Sequence, residues 1–90
     1  MKITRQVVAQ KLIDYLYHRI TLTELVHWAE SVMMEAQFDE RNLDTLRDIV
    51  SRMGLADVKA FGMSWESCED FLSRLGYSVS VTVSEAAATA

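Results

Sequence analysis

The chain has 90 residues, half of them hydrophobic, no proline and a net charge of −4 at neutral pH. A chain of this length forms one domain, so we expect a helical domain over residues 1–84 and a frayed tail over residues 85–90. The single cysteine excludes an internal disulfide, and no apolar run approaches the roughly 20 residues that a membrane span needs. These features predict a cytoplasmic protein that does not insert into a membrane.

The first two helices are predicted from their caps and their apolar periodicity. Thr4 is a suitable N-cap for a first helix, whose apolar face is Val8, Ala9, Leu12, Ile13 and Leu16. Thr21 and Glu24 have the spacing of a capping box, which predicts a second helix over residues 20–36. Because this helix is apolar around much of its circumference, we expect it at the centre of the molecule. Its expected inward residues are Leu22, Leu25, Val26, Ala29, Val32, Met33 and Ala36, with Trp28 and Met34 at the margin.

Two later helices are each predicted to end at a glycine. The third begins with an N-cap at Asp39 and ends at Gly54, which is expected to adopt a left-handed backbone with Leu55 closing onto the helix. One or two helical turns follow over residues 56–61. Ser64 then caps a fourth helix over residues 65–75, which ends at Gly76. The inward residues expected on the fourth helix are Trp65, Cys68, Phe71, Leu72 and Leu75.

Residues 77–83 change to a period of two, because tyrosine and valines alternate with serines and a threonine. This pattern predicts a single C-terminal strand. A lone strand needs hydrogen-bond partners, which residues 1–3, the same strand of a second copy or the sheet of another protein would supply. The predicted fold is therefore mainly α: a compact bundle of four principal helices and one short helix, with one C-terminal strand.

Residues suited to catalysis or metal binding form no complete set. Glu24 and His27, with Asp14 and His18, would be the ligands of a metal that bridges the first two helices, but a helical di-metal site needs more carboxylates. Cys68 falls on the apolar side of its helix, where a cysteine is inert. We therefore predict no catalytic residues, no metal, no cofactor and no small-molecule substrate.

The spacing of residues 56–76 resembles a helix-turn-helix unit, with a turn at Gly62 and a capping serine at Ser64. DNA binding needs Lys or Arg for phosphate contacts, and Arg74 lies only at the end of the candidate recognition helix. The other charged residues predicted on its exposed face are Glu66, Glu69 and Asp70. A DNA-binding regulator is therefore the alternative, and binding to nucleic acid is not the expected function.

The features together favour a small acidic protein-protein interaction module, of the size and charge of small regulatory, antitoxin or immunity proteins. Residues 1–20 carry four basic groups and one acidic group, whereas residues 21–90 carry five basic and twelve acidic groups. We expect the chain to form a homodimer or to bind a basic partner, because complementary charge steers association. The expected interface residues are Glu66, Glu69, Asp70, Tyr77, Val79, Val81 and Val83, with Trp28 assigned either to the interface or to the core.

Overall fold

The chain folds into four helices and one minimal sheet within the residues that the structure describes. The structure is a computed structural model and describes residues 2–35, 37–57 and 63–80. Its elements are β1 (Lys2–Ile3), α1 (Arg5–Leu16), α2 (Leu22–Glu35), β2 (Gln37–Phe38), a 3₁₀ helix (Glu40–Asn42), α3 (Leu43–Met53) and α4 (Trp65–Arg74). The prediction of a mainly helical fold is therefore confirmed.

Side-chain caps define where three of the helices begin. The Val7 amide donates to Thr4 Oγ1 at 3.3 Å, which caps α1. Thr21 and Glu24 form the predicted reciprocal capping box, in which each backbone N–H donates to the other side chain, at 3.0 and 3.1 Å. The Ser67 amide donates to Ser64 Oγ at 3.1 Å and caps α4. The Asp39 side chain caps the 3₁₀ helix instead of α3. The predicted start of the third helix was therefore wrong, because the 3₁₀ helix lies between Asp39 and the first residue of α3.

The core lies between α1, α2, α3 and α4, on the faces that the periodicity predicts. Its fully buried members include Val8, Leu12, Leu25, Val26, Ala29, Leu46, Ile49, Val50, Met53, Cys68 and Leu75. The predicted inward positions of Met33 and Trp65 were wrong, and Met34, which was predicted at the margin of the second helix, is also exposed. Met33 is 43% exposed, Met34 is 84% exposed and Trp65, the first residue of α4, is 42% exposed.

A two-residue parallel ladder joins β1 to β2, where Lys2 pairs with Gln37 and Ile3 with Phe38. Ile3 is completely buried, and its carbonyl accepts from the Asp39 amide at 2.8 Å. The ladder therefore ties the start of the chain to the connection between α2 and α3. One of the open predictions was that residues 1–3 pair with the C-terminal strand. In the structure, Lys2 and Ile3 pair with β2 instead.

Two helix ends adopt the same left-handed C-cap, and a third does not. Gly76 has φ +93°, and the Tyr77 amide donates to the Leu72 carbonyl at 2.9 Å, which completes a Schellman motif after α4. His18 ends α1 in the same way with φ +61°. Gly54, predicted to be left-handed, has φ −67° in the right-handed helical region. Its helix continues into tight turns over residues 54–57, and Leu55 is 42% exposed instead of closing onto the helix.

Two predicted elements fall wholly or partly outside the described residues. Residues 77–80 are described and belong to neither strand of the sheet, so the predicted C-terminal strand is not confirmed there, and residues 81–83 lie outside the described part. A short helix was predicted over residues 56–61. Residues 56 and 57 belong to the turns over residues 54–57, and residues 58–62 lie outside the described residues. The predicted frayed tail over residues 85–90 is also outside the described residues.

Candidate protein interaction site

An apolar groove lies between the end of α1, the start of α4 and residues 77–80. We name it the apolar groove; its volume is about 620 Å³. Its lining side chains are mostly aromatic and aliphatic: Ile13, Leu16, Tyr17, Trp65, Leu72, Tyr77 and Val79, with Ser78 and Ser80. Two different ends of the chain therefore contribute to one surface.

Three aromatic side chains of the apolar groove are unusually exposed. Tyr17 is 69% exposed, Trp65 is 42% exposed and Tyr77 is 37% exposed. Aromatic residues are enriched in protein interfaces, where they bury a large apolar area and keep a polar tip. The groove thus has the composition of a binding surface more than that of an incomplete core.

A second groove, of about 410 Å³, follows the outer side of α4, and we name it the acidic groove. It is lined by Glu66, Glu69, Asp70, Ser73, Tyr77, Ser78 and Val79. Tyr77, Ser78 and Val79 line both grooves, so they form the border between an apolar and an acidic surface. Five of the eight interface residues predicted from the sequence meet here, namely Glu66, Glu69, Asp70, Tyr77 and Val79.

The carboxylates of the acidic groove have little competition from nearby bases. Arg74 Nη2 lies 2.8 Å from Asp48 Oδ2 on α3, whereas its Nη1 lies 3.9 Å from Asp70 Oδ2. Arg74 is therefore drawn toward α3 and away from the groove. Glu66 and Glu69 make no ion pair within 4 Å with any other described residue. Within the described residues, no ion pair therefore neutralises the charge of Glu66 or Glu69.

Trp28 is separate from these two grooves. It is half-buried on α2 and packs against the core, and Lys11 Nζ lies 5.6 Å from the centre of its ring. Such a cation over an indole face is a stabilising contact within the chain. Of the remaining predicted interface residues, Val81 and Val83 lie outside the described residues.

Seven lining residues of the apolar groove were not predicted as site residues: Ile13, Leu16, Tyr17, Trp65, Leu72, Ser78 and Ser80. Ile13 and Leu16 had been placed in the core, and the structure shows that they are only partly buried. Tyr17 follows α1 directly, so its exposure depends on where that helix ends. The sequence did contain one signal for this part of the site, because Tyr17 and Trp65 are aromatic residues next to predicted helix ends.

Among the candidate catalytic and metal-binding groups, Cys68 is buried, and Glu24 and Asp14 accept hydrogen bonds from their own helices or from the residues that flank them. Burial raises the pKa of the Cys68 thiol to about 11, so that it stays protonated at neutral pH, and Cys68 is only 1% exposed. The Glu24 carboxylate accepts from the Thr21 amide. The Asp14 carboxylate accepts from Gln10 at 2.9 Å and from Arg19 at 3.2 Å, and these contacts hold its pKa below the usual value. Among the described residues, no three metal-ligating side chains lie close enough to hold an ion.

Comparison of the chain with protein-family models, with curated proteins and with solved structures gives no match. In the described ranges, no helix combines the length and the apolar character needed to cross a bilayer. The function is therefore inferred from the chemistry of the two grooves.

Proposed function

We propose that this chain is a small, non-enzymatic protein-interaction module that binds a basic partner protein through α4 and residues 77–80. The observation that carries the proposal is the shared border of the apolar and acidic grooves, formed by Tyr77, Ser78 and Val79. A partner that covers this border buries aromatic surface and neutralises carboxylates at the same time. Apolar burial contributes affinity, and charge complementarity contributes orientation and association rate.

The charge of the whole chain supports a basic partner over a nucleic acid. The net charge is −4, and the acidic groove is lined by three carboxylates and no basic side chain. Such a surface repels phosphate and attracts Lys and Arg. If the chain were a DNA-binding regulator, these three carboxylates would lie on its recognition helix. Their negative charge disfavours that alternative function.

A binding titration with a charge-reversal variant tests the proposal. The probe is a short, labelled peptide rich in Lys and Arg, and its fluorescence anisotropy is followed at low salt, where surface charges are least screened. We expect the native chain to bind it and Glu69→Lys, which reverses an exposed charge in the acidic groove, to bind roughly fivefold more weakly or worse.

The matched control is Glu30→Lys, which makes the same charge change at an exposed position of α2. We expect this variant to retain most of the native affinity. Equal weakening by both variants would show that only net charge attracts the peptide, and an absence of binding would overturn the proposal. Salt-dependent binding to duplex DNA that exceeds binding to the peptide would instead favour the DNA-binding alternative.

The solution mass of the chain separates a foreign partner from a second copy. Light scattering after gel filtration is compared for the full chain and for a version that ends at Gly76. A basic foreign partner predicts that both are folded monomers. A dimeric full chain with a monomeric truncation would replace the basic partner by a homodimer built on residues 77–90.

A further inference from the structure

We infer that the segment bound at this surface carries an arginine beside an apolar residue, with the arginine on Tyr77 and the apolar side chain in the apolar groove. The inference rests on the proposed function and specifies the chemistry of the partner. It distinguishes an arginine-containing apolar segment from a merely cationic one. The occupant is therefore a polypeptide with both features close together in its sequence.

The position of Tyr77 requires both features. Tyr77 lines both grooves and is 37% exposed, so a segment bound in either groove can contact it. A segment that crosses this border meets the carboxylates of Glu66, Glu69 and Asp70 on one side. On the other side it meets Trp65 and the aliphatic floor of the apolar groove. A purely cationic segment would leave that apolar surface in contact with water.

The chain already holds one arginine in the arrangement that we infer for the partner. Arg19 lies over the ring of Tyr17, with its guanidinium carbon 5.2 Å from the ring centre. The same guanidinium donates to Asp14 Oδ1 at 3.2 Å. Tyr17 lines the apolar groove, so an arginine stacked on a tyrosine and bound to a carboxylate exists at the rim of this surface. Tyr77 and the acidic groove offer the same combination to a second arginine.

Arginine suits this combination better than lysine does. Its planar guanidinium stacks on an aromatic ring while its N–H groups donate to a carboxylate, whereas an ammonium group is a compact and strongly hydrated charge. Three carboxylates and Tyr77 line the same groove, so a guanidinium bound there has both an aromatic ring and carboxylate acceptors among the lining residues. A preference for arginine over lysine is therefore a specific signature of this site.

Three peptides of equal length and charge pattern test the inference on the full chain. The first combines arginine and leucine, the second replaces each arginine with lysine, and the third replaces each leucine with serine. We expect the arginine–leucine peptide to bind about threefold to fivefold more tightly than the lysine–leucine peptide. We expect the arginine–serine peptide to bind about tenfold more weakly, because it lacks the apolar anchor.

Variants at Tyr77 assign the arginine preference to one ring. Tyr77→Ala should abolish the preference for arginine over lysine, and Tyr77→Phe, which keeps the ring, should retain it. Both variants keep the backbone N–H that completes the Schellman motif, so α4 should end as in the native chain. A preference that survives Tyr77→Ala would overturn the assignment.

The outcomes separate this inference from the proposed function. If all three peptides bind equally and Glu69→Lys weakens each of them, the specific chemistry is wrong and the basic-partner proposal stands. If the native chain binds none of the three, both fail. The inference holds only if the arginine–leucine peptide binds most tightly and Tyr77→Ala removes its advantage over the lysine–leucine peptide.

Discussion

Gly76 is a position where one residue determines how a helix ends and how the site is built. Its φ of +93° is a left-handed backbone that other residues adopt at a cost of about 1–2 kcal/mol. A Cβ at this position would also lie 2.6 Å from Nη1 of Arg5, which donates to the Leu75 carbonyl at 3.1 Å. The Arg5 side chain therefore connects the start of α1 to the end of α4, and Gly76 leaves space for it. Gly76 lies directly before the border of the two grooves.

We predict that Gly76→Ala lowers the free energy of unfolding by about 1–2 kcal/mol, since it combines backbone strain with a displaced Arg5 side chain. Urea unfolding followed by circular dichroism measures this. The control is Gly54→Ala, where φ is −67° and the nearest atom to the added Cβ is the Ser51 carbonyl oxygen at 3.5 Å. That variant should be neutral or stabilising by up to about 1 kcal/mol. An equal loss in both variants would contradict the strain argument.

His18 and Gly54 show why single-residue backbone conformations are difficult to predict from sequence. A glycine at a helix end favours the left-handed cap, yet Gly54 does not adopt it. His18 adopts it without the advantage of glycine, because the Arg19 amide donates to the Asp14 carbonyl at 2.8 Å and completes the motif. These two helix ends show that residue type alone does not determine the backbone conformation of a C-cap.

At the level of elements, local interactions were predictable and long-range pairings were not. The capping box of Thr21 and Glu24 spans three residues, so the sequence contains all of its information. The buried residues of α1, which are Val8, Ala9 and Leu12, follow in the same way from its periodicity. The ladder between Lys2–Ile3 and Gln37–Phe38 has two residues in each strand, which is too short for an alternating pattern. Its pairing depends on the position of α2, which no local motif encodes.

Asp48 connects α3 to α4 and makes stability depend on pH. Hydrogen bonds from Arg52, at 3.0 Å, and from Arg74 lower the pKa of its carboxyl group. Because the pKa is lower in the folded chain than in the unfolded chain, the ionised form favours folding. The stabilisation is complete above the unfolded pKa, near pH 4, and is lost as the pH falls through the folded pKa.

We therefore predict that Asp48→Asn reduces stability at neutral pH and reduces the further loss that the native chain shows in acid. The measurement is the urea midpoint of both proteins at neutral pH and at about pH 3. Arg74→Gln is the matched variant, because it removes the ion pair of Asp48 with α4, together with the longer contact to Asp70, and leaves the Arg52 contact in place, so it should give an intermediate slope. Identical pH dependence in the native chain and in Asp48→Asn would show that this cluster does not contribute.

At the scale of the molecule, the residues that line the candidate site were only partly predictable from the sequence. Glu66, Glu69, Asp70, Tyr77 and Val79 were identified from the sequence, and they line one groove in the described residues, whereas Val81 and Val83 lie outside them. The contribution of Tyr17 and of the α1 residues beside it depends on the packing of α1 on α4, two helices that are far apart in the sequence. Trp28 was assigned either to the core or to the interface, because it lies at the margin of the apolar face of the second helix, and it packs against the core outside both grooves.

The fluorescence of a tryptophan can test the binding surface directly, because one of the two tryptophans lines the apolar groove and the other does not. Trp65 lines the apolar groove, whereas Trp28 packs against the core beneath Lys11. Replacement of Trp28 with Phe leaves Trp65 as the only tryptophan and keeps an aromatic ring beside Lys11. Its emission then reports directly on the groove.

The most direct test of the account is the emission of Trp65 in this Trp28→Phe protein during titration with the arginine–leucine peptide at low salt. The account predicts a saturable shift of the emission to shorter wavelength, since the indole leaves water, and a much weaker response when Glu69→Lys is added. Emission that stays constant while the anisotropy shows the peptide to be bound would contradict the account, because binding would then occur away from α4.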